Sequence, residues 1–309
     1  MSKNDGYVDF KTNDDPHDPH DFLIYAEHHG LPQARHRVVI LGVRDDIASH
    51  LVGSAFKGLL PSTEPVSVEQ VIGDLPRLRS RLSKGQDSVA NWRKAITDLG
   101  NATLSELTDD PLVQGRVRKN FSRDLDSIAN SPSPIGAERG LTMSGTALRS
   151  CAGTALESWY HDPRLNRHVV NHQSRGHIAG DLVRYLYYSS HAQSLKKSPK
   201  AENLPWALWP AHKNFESGKF SDRFRVQLAN MPGTTVTSHI SKDGHYYIHY
   251  DPQQCRSLTV REAARLQTFP DNYYFVGSRT QQYVQVGNAV PPYLSVQIAK
   301  IVASLLEST

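Results

Sequence analysis

Arg35 and Arg37 stand two residues apart at the head of an apolar run, Arg37-Val38-Val39-Ile40-Leu41-Gly42-Val43. On a strand, alternate residues share a face, so both guanidiniums would point the same way. Each is a planar, permanently charged fork that donates paired hydrogen bonds to carbonyls and phosphates. A second concentration of such donors lies in residues 160–225, where eleven Lys and Arg face five Asp and Glu, a local charge of +6. Tyr and Trp are interleaved with them. That mixture suits phosphate contacts and base stacking, although a solvated basic face has the same composition. The run Asp14-Asp15-Pro16-His17-Asp18-Pro19-His20-Asp21 offers metal-type ligands in His17 and His20. No downstream spacing completes a site, so it reads as a solvated acidic loop and no metal is expected. Cys151 and Cys255 are the only thiols.

Across 309 residues the formal charge is +4 and the pI about 8.9. The segment 160–225 therefore holds the whole basic excess, which permits a nucleic-acid partner without requiring one. Hydrophobic residues make up 38%, charged residues 21%, and mean hydropathy is −0.50. This is a soluble globular composition with room for long polar loops. No apolar run nears the ~18 residues of a membrane span, and the first ten residues are polar, so neither a membrane segment nor a secretion signal is expected. Two cysteines give no disulfide framework and suit a reducing, cytoplasmic setting.

The elements that must position these groups can be read in outline. The run 37–43 has the pattern of a strand buried on both faces. Such a strand needs hydrogen-bonding neighbours, and the first half of the chain offers no other like it. Ser67 is placed to cap a helix through Leu75. Asp87 is placed to cap another, with Val89, Trp92, Ile96 and Leu99 at helical spacing and Gly100 as its stop. Residues 131–140 read as a loop. Gly145-Thr146-Ala147-Leu148 and Gly153-Thr154-Ala155-Leu156 read as small residues packing a helix closely. Thr234–Ser238 and Tyr246–Tyr250 read as strands of a hairpin turning at Asp243-Gly244. Thr259 and Glu262 have capping-box spacing and open a helix that Pro270 closes. A short helix, 281–286, stops at Gly287. Pro291-Pro292 opens the last helix, with Leu294, Ile298, Ile301, Val302 and Leu305 as one apolar stripe.

Three blocks in order resemble the DNA cytosine-5 methyltransferase family. Gly30-Leu31-Pro32-Gln33-Ala34-Arg35-His36-Arg37-Val38 is similar to the family's Gln-x-Arg-x-Arg block. Arg256-Ser257-Leu258-Thr259-Val260-Arg261-Glu262-Ala263-Ala264-Arg265-Leu266-Gln267-Thr268-Phe269-Pro270-Asp271 resembles its ninth block. Gln285-Val286-Gly287-Asn288-Ala289-Val290-Pro291-Pro292 resembles its tenth. A variable recognition region would fill roughly 60–255, with Thr235-Val236 where the family carries a Thr-Leu pair. The resemblance implies an α/β chain: the C-terminal part of a Rossmann-like S-adenosylmethionine-dependent methyltransferase fold, with a mixed α+β target-recognition domain. It implies three parts: 1–60 as the end of the catalytic domain, 61–275 as the recognition domain, and 276–309 as a returning catalytic-domain helix.

The family's Phe-x-Gly-x-Gly cofactor loop, Pro-Cys nucleophile and Glu-Asn-Val acid block are not in this sequence, and neither cysteine follows a proline. The chemistry requires a thiolate at carbon 6 of cytosine and an acid at the ring nitrogen. The chain is therefore expected to be the C-terminal half of a split enzyme, inactive alone, with S-adenosylmethionine bound mainly by a partner polypeptide that carries those blocks. Double-stranded DNA is the expected substrate, and restriction-modification the setting the resemblance suggests. By resemblance Arg37 donates to O2 of a flipped cytosine. Arg35 holds a phosphate or a partner carboxylate, or is a structural ion pair. Asn288 and Ala289 approach the cofactor, and Gln33, Thr235 and Arg175 meet DNA. Arg261, Glu262 and Arg265 organise the hinge between domains. The alternative is a catalytically inactive DNA-binding remnant or regulator.

Overall fold

In the computed structural model the described residues are 7–9, 19–44, 59, 64–107, 115–131, 151–166, 168–200, 204–210 and 223–307. Strands β1 (Tyr7–Asp9), β2 (Ile24–Tyr25), β3 (Gln33–Ala34), β4 (His36–Arg37) and β5 (Ile40–Gly42) come first. Then follow α1 (Val68–Ile72), β6 (Arg81–Leu82), α2 (Val89–Glu106), α3 (Gly115–Asn130), α4 (Glu157–Tyr160), β7 (Gly176–His177) and α5 (Ala179–Leu195). The chain closes with β8 (Gly233–Thr234), α6 (Val260–Leu266), α7 (Arg279–Asn288) and α8 (Pro292–Glu307). The strands form two-stranded ladders. β1 runs antiparallel to β5 and β2 to β4, while β3 is parallel to β8 and β6 to β7.

The run 37–43 is not the doubly buried strand its composition predicts. It breaks at Val38-Val39, and Val38 and Ile40 are 53% and 76% exposed. β-branched residues favour extended backbone whether or not a cover is present. Among the described residues β5 pairs only with β1, so its apolar faces lie open.

Ser67 caps α1 in a full capping box with Gln70, but the helix ends at Gly73, before Leu75. Ser88, not Asp87, caps α2; Asp87 instead accepts from Arg79 and from the Leu82 amide. Gly100 does not stop α2, which continues to Glu106. A Cβ there would meet Leu125 Cδ1 at 2.6 Å, so the glycine admits α3 to close packing. Gly287 acts likewise inside α7, where a Cβ would overlap the backbone of Thr237 and Ser238. Gly153 lies in a turn at φ +80°, not against a helix. Residues 145–148 and nearly all of 131–140 lie outside the described residues, as does His17. The hairpin over 234–250 does not form. Thr234 pairs with Ala34 instead, and Ile248 bridges Val226 and Ser257. Asp243-Gly244 does turn the chain, but the Asp243 carboxylate accepts from the His245 amide and starts a 3-10 turn.

Two large cores result. One joins α2, α3 and α5 through Trp92, Ile96, Phe121, Leu125, Leu182 and Tyr187. The other joins α1, α6 and α7 with residues 151–169 and 236–275. The boundary expected at 275/276 runs through this second core, because Phe275, Tyr283 and Val286 share it. A small third cluster, Ala26, Leu31 and Leu294, ties the first turns to α8. The stripe on α8 is half covered: Leu294 and Leu305 are buried, Ile298, Ile301 and Val302 partly so, and Leu306 is 59% exposed. Contrary to the sequence expectation, the stretch Arg279–Glu307 is long and apolar enough for a membrane span by length and composition. It is two helices, however, parted at Ala289-Val290-Pro291.

Candidate active site and DNA-facing surface

A buried amide relay joins the three blocks. Gln33 Nε2 donates to the Leu266 carbonyl at 3.0 Å and to Gln267 Oε1 at 2.5 Å, and Gln33 Oε1 accepts from the Val236 amide at 3.0 Å. Gln267 Nε2 passes the connection on, to the carbonyls of Val286 at 3.0 Å and Ala289 at 2.8 Å. Both glutamines are fully buried. A buried primary amide is stable only when its donors and acceptor are met, and these are. Gln33, expected at DNA, is thus an interior tie. Its side chain is consumed by the junction of β3, β8, α6 and α7.

The tie sets the surface above it. Thr235 Oγ1 donates to the Ala34 carbonyl at 2.7 Å, and Arg35 Nη1 donates to the Val236 carbonyl at 3.1 Å. Arg35 is half-buried; burial and then the neighbouring Arg37 lower its pKa. Arg37 is exposed and donates only to the adjacent His36 carbonyl, at 2.7 Å, with no carboxylate in ion-pair range among the described residues. Asn288 is exposed and Ala289 half-buried at the end of α7. They line an open hollow of about 650 Å³ with Phe269, Tyr273, Phe275 and Val290.

Arg175 is not on a DNA surface either. It is 9% exposed, donates to the carbonyls of Lys242 at 3.0 Å and Ile240 at 2.9 Å, and lies 4.5 Å over the Tyr283 ring. It clamps the turn 238–242 onto α7.

The ninth-block arginines are interior as well. Arg256 grips Glu262 through two 2.6 Å bonds, and Arg265 grips Asp271 at 2.9 and 2.7 Å and Asp74 at 2.5 Å. Burial opposes the Glu262 charge, but Arg256 more than reverses this and holds its pKa well below the usual range. Arg261 donates to the carbonyls of Val170, Pro270 and Tyr273, and burial lowers its pKa to about 10. His172 accepts from Thr259 and donates to the Pro76 carbonyl, its Nε2 carrying the proton because a carbonyl can only accept.

Gln267 and Thr268 were not anticipated as site-forming. Thr268 adopts φ +62°, a costly conformation for a β-branched residue. Its hydroxyl accepts from the Tyr293 amide and its carbonyl from Trp159 Nε1. The available signal was a Gln-Thr pair directly after a capped helix and two residues before a proline. Neither cysteine is placed to react. Both are buried; burial raises the Cys151 thiol to about 12 and the Cys255 thiol well above its ordinary value. Among the described residues no group of three or more His, Cys, Asp or Glu could hold a metal ion.

The chain matches the family described as C-5 cytosine-specific DNA methylase over residues 18–304. It is 50% identical over 277 residues to the type II methyltransferase M.Bpa9945I of Bacillus paralicheniformis, covering 90% of this chain and 49% of that protein. To M.AgeI of Thalassovita gelatinovora, a type II methyltransferase, identity is 40%, covering 89% of this chain and 63% of the relative. To the DNA (cytosine-5-)-methyltransferase M.ApeKI of Aeropyrum pernix it is 42%, covering 90% and 58%. The chain thus spans about half to three-fifths of the length of these relatives. The family's methyl donor is S-adenosylmethionine.

Proposed function

Because the chain belongs to the C-5 cytosine-specific DNA methylase family, we propose that it is the DNA-recognition subunit of a split DNA (cytosine-5-)-methyltransferase. It completes an active site that methylates carbon 5 of a flipped cytosine in duplex DNA. A second polypeptide supplies the nucleophilic cysteine, the acid and the cofactor loop. The state of the two cysteines carries this reading. A thiol held neutral by burial delivers no thiolate near pH 7, so the nucleophile lies outside these residues. The uncovered apolar side chains of Val38, Ile40, Val290, Val296 and Leu306 agree with it, being surface a partner would cover.

In this reading Arg37 places its exposed guanidinium at the carbonyl of the attacked ring, where negative charge gathers. Arg35 and Thr235, fixed by Val236 and Ala34, hold the backbone beside the flipped base. The hollow at Asn288 and Ala289 has aromatic and apolar walls with the exposed amides of Gln285 and Asn288, which fits the nucleoside end of S-adenosylmethionine. When bound, that cofactor supplies the methyl group. Residues up to about 60 and from 276 onward belong with the partner's catalytic domain, and 61–275 with recognition, although α7 is built into both.

Reconstitution tests this. The purified chain is incubated with duplex DNA and radiolabelled S-adenosylmethionine, alone and with a polypeptide bearing the Pro-Cys and Glu-Asn-Val blocks. Methyl transfer by the mixture only is the expected result. Robust transfer by the chain alone overturns the split arrangement. A mixture that binds DNA without methylating it favours the inactive DNA-binding regulator.

A further inference from the structure

We infer that Arg225, braced on Tyr246, reads a guanine in the base pairs beside the target cytosine. The inference rests on the DNA-recognition reading and adds a residue that none of the three sequence blocks contains.

Arg225 stands on an extended segment bonded along its length. Its amide donates to the His245 carbonyl at 2.9 Å, its carbonyl accepts from the Ile248 amide at 2.8 Å, and the Gln227 amide donates to the Ile248 carbonyl at 2.9 Å. Phe224 and Val226 are sunk in the core of α2, α3 and α5. By alternation Arg225 and Gln227 turn to the opposite face, and Arg225 is exposed there.

Gln227 marks where that face leads. Its Nε2 donates to the Tyr246 carbonyl at 3.0 Å, and its Oε1 accepts from the Thr234 amide at 2.8 Å and the Thr234 hydroxyl at 3.1 Å. Thr234 pairs with Ala34, and Thr235 is fixed on the Ala34 carbonyl next to Arg35. Tyr247 donates its hydroxyl to the Thr235 carbonyl at 3.0 Å and accepts from the Thr237 amide at 3.1 Å. One tyrosine of the pair thus holds Arg225 and the next holds the threonines. Arg225 and the groups assigned to the flipped base share one hydrogen-bonded surface.

The guanidinium is held but not spent. Nη1 donates to the Tyr246 hydroxyl at 2.7 Å, and the group lies 5.5 Å over that ring. Among the described residues no carboxylate lies in ion-pair range of it; Asp243 is taken by Arg223 at 2.7 Å. Nε and Nη2, side by side on the exposed fork, make no hydrogen bond among the described residues. The Tyr246 hydroxyl, having accepted, keeps its own proton to donate.

A phosphate can be held by a point charge, as lysine holds it. A fork fixed by a ring and a hydroxyl, on backbone bonded at both sides, suits a planar pair of acceptors better. Guanine offers that pair in the major groove at O6 and N7, and arginine bidentate to them is the commonest base-specific contact. Holding the fork ready lowers the ordering cost of making it. Guanine is the occupant to which we commit.

The test is selection by the full chain from a labelled duplex pool with a randomised centre, for wild type, R225A, R225K and Y246F, with the bound fraction sequenced. Salt titration and thermal melting run in parallel. Wild type should enrich guanine. R225A should lose that preference at one position, keep the others, and bind the wild-type consensus about 10- to 100-fold more weakly at an unchanged melting temperature. R225K should not restore the preference, because an ammonium lacks the fork. Y246F keeps the ring but releases the fork, and should weaken the preference at the same position. Unchanged preferences in R225A, or a wild type that binds duplexes and enriches no guanine, overturn this inference alone. So does an R225A loss that is equal for all sequences and lowers the log–log salt slope by about 0.9, which marks a phosphate contact. A melting temperature lowered in both R225A and R225K marks a structural arginine and overturns it too. Absence of duplex binding by wild type overturns the recognition reading and this inference with it.

Discussion

The ninth-block arginines and the two at the candidate active site are the same residue type in opposite circumstances. Arg256, Arg261 and Arg265 are at most 1% exposed, and each is tied to carbonyls, carboxylates or both. Arg37 touches one adjacent carbonyl, and Arg35 one carbonyl across a strand. The first set closes loops onto α6 and shapes the fold. The second set has capacity left over, which is what an absent substrate or subunit would use. A block rich in arginine therefore marks a family without marking its chemistry; unspent donors do that.

Removing a member of the buried set should have the largest effect. Arg265→Ala removes both guanidinium bonds to Asp271 and the one to Asp74, leaving Asp271 with Arg261 at 3.8 Å as a more distant cation. Breaking one side of such a pair costs about 3–5 kcal/mol. Denaturant unfolding should show that loss, or no folded protein at all. A loss below about 1 kcal/mol would erase the distinction between the two sets. Arg37→Ala should invert the pattern. In the reconstituted complex turnover should drop ~100- to 1,000-fold, as when one donor to developing charge is lost. Unfolding and DNA affinity should change little, and Arg37→Lys should rescue poorly. If the variant prevents the chains from associating, or methylation proceeds at the normal rate, Arg37 is not the donor.

The two sets were unequally legible in the sequence. Local rules worked where they were self-contained. The capping box at Thr259–Glu262, the cap at Ser67 and the proline start of α8 all depend on residues within one turn. They failed where a distant neighbour decides. Gly100 and Gly287 carry stop signals that close packing against Leu125 and Thr237 overrides. Thr234 leaves its expected hairpin for Ala34, some two hundred residues away. For the site, Arg37 and Asn288 could be named from their blocks, and both are exposed. Gln33 and Arg175 could not be told from surface residues, because a polar side chain does not announce that an interior amide or carbonyl awaits it.

Acid should attack the buried set selectively. His172 and His249 lie against the Arg256–Glu262 pair, and burial, ahead of the surrounding charges, lowers each to about 4. A histidine whose folded pKa lies below its unfolded value of ~6.5 stabilises fully above that value and loses stability as pH falls toward the folded pKa, since only the unfolded chain takes up the proton. The loss runs at about 1.4 kcal/mol per pH unit per histidine, so about 2 kcal/mol each between pH 6.5 and 5. Unfolding midpoints across that window should fall accordingly, and His172→Gln should remove about half the slope. A midpoint flat from pH 7 to 5 would mean that neither imidazole is held neutral by the interior.

The smallest effect separates pairing from burial. Arg77 donates to Asp251 Oδ2 from both Nε, at 3.1 Å, and Nη2, at 2.8 Å, so it is as fully paired as the interior arginines. Its side chain is 55% exposed, however. In water the Coulombic gain is screened, and ordering a long side chain offsets most of the rest. Asp251 also keeps the Gln253 amide and Gln254 Nε2 as donors when Arg77 is gone. Arg77→Ala should therefore cost about 0.2–1 kcal/mol in denaturant unfolding, less still in high salt, and leave the DNA-binding salt slope where it was. If it destabilises as much as Arg265→Ala, the number of bonds rather than their desolvation sets the worth of an arginine in this chain. If instead it lowers the salt slope by about 0.9, the DNA path crosses the Arg77–Asp251 pair, and unspent donors do not alone mark the binding face.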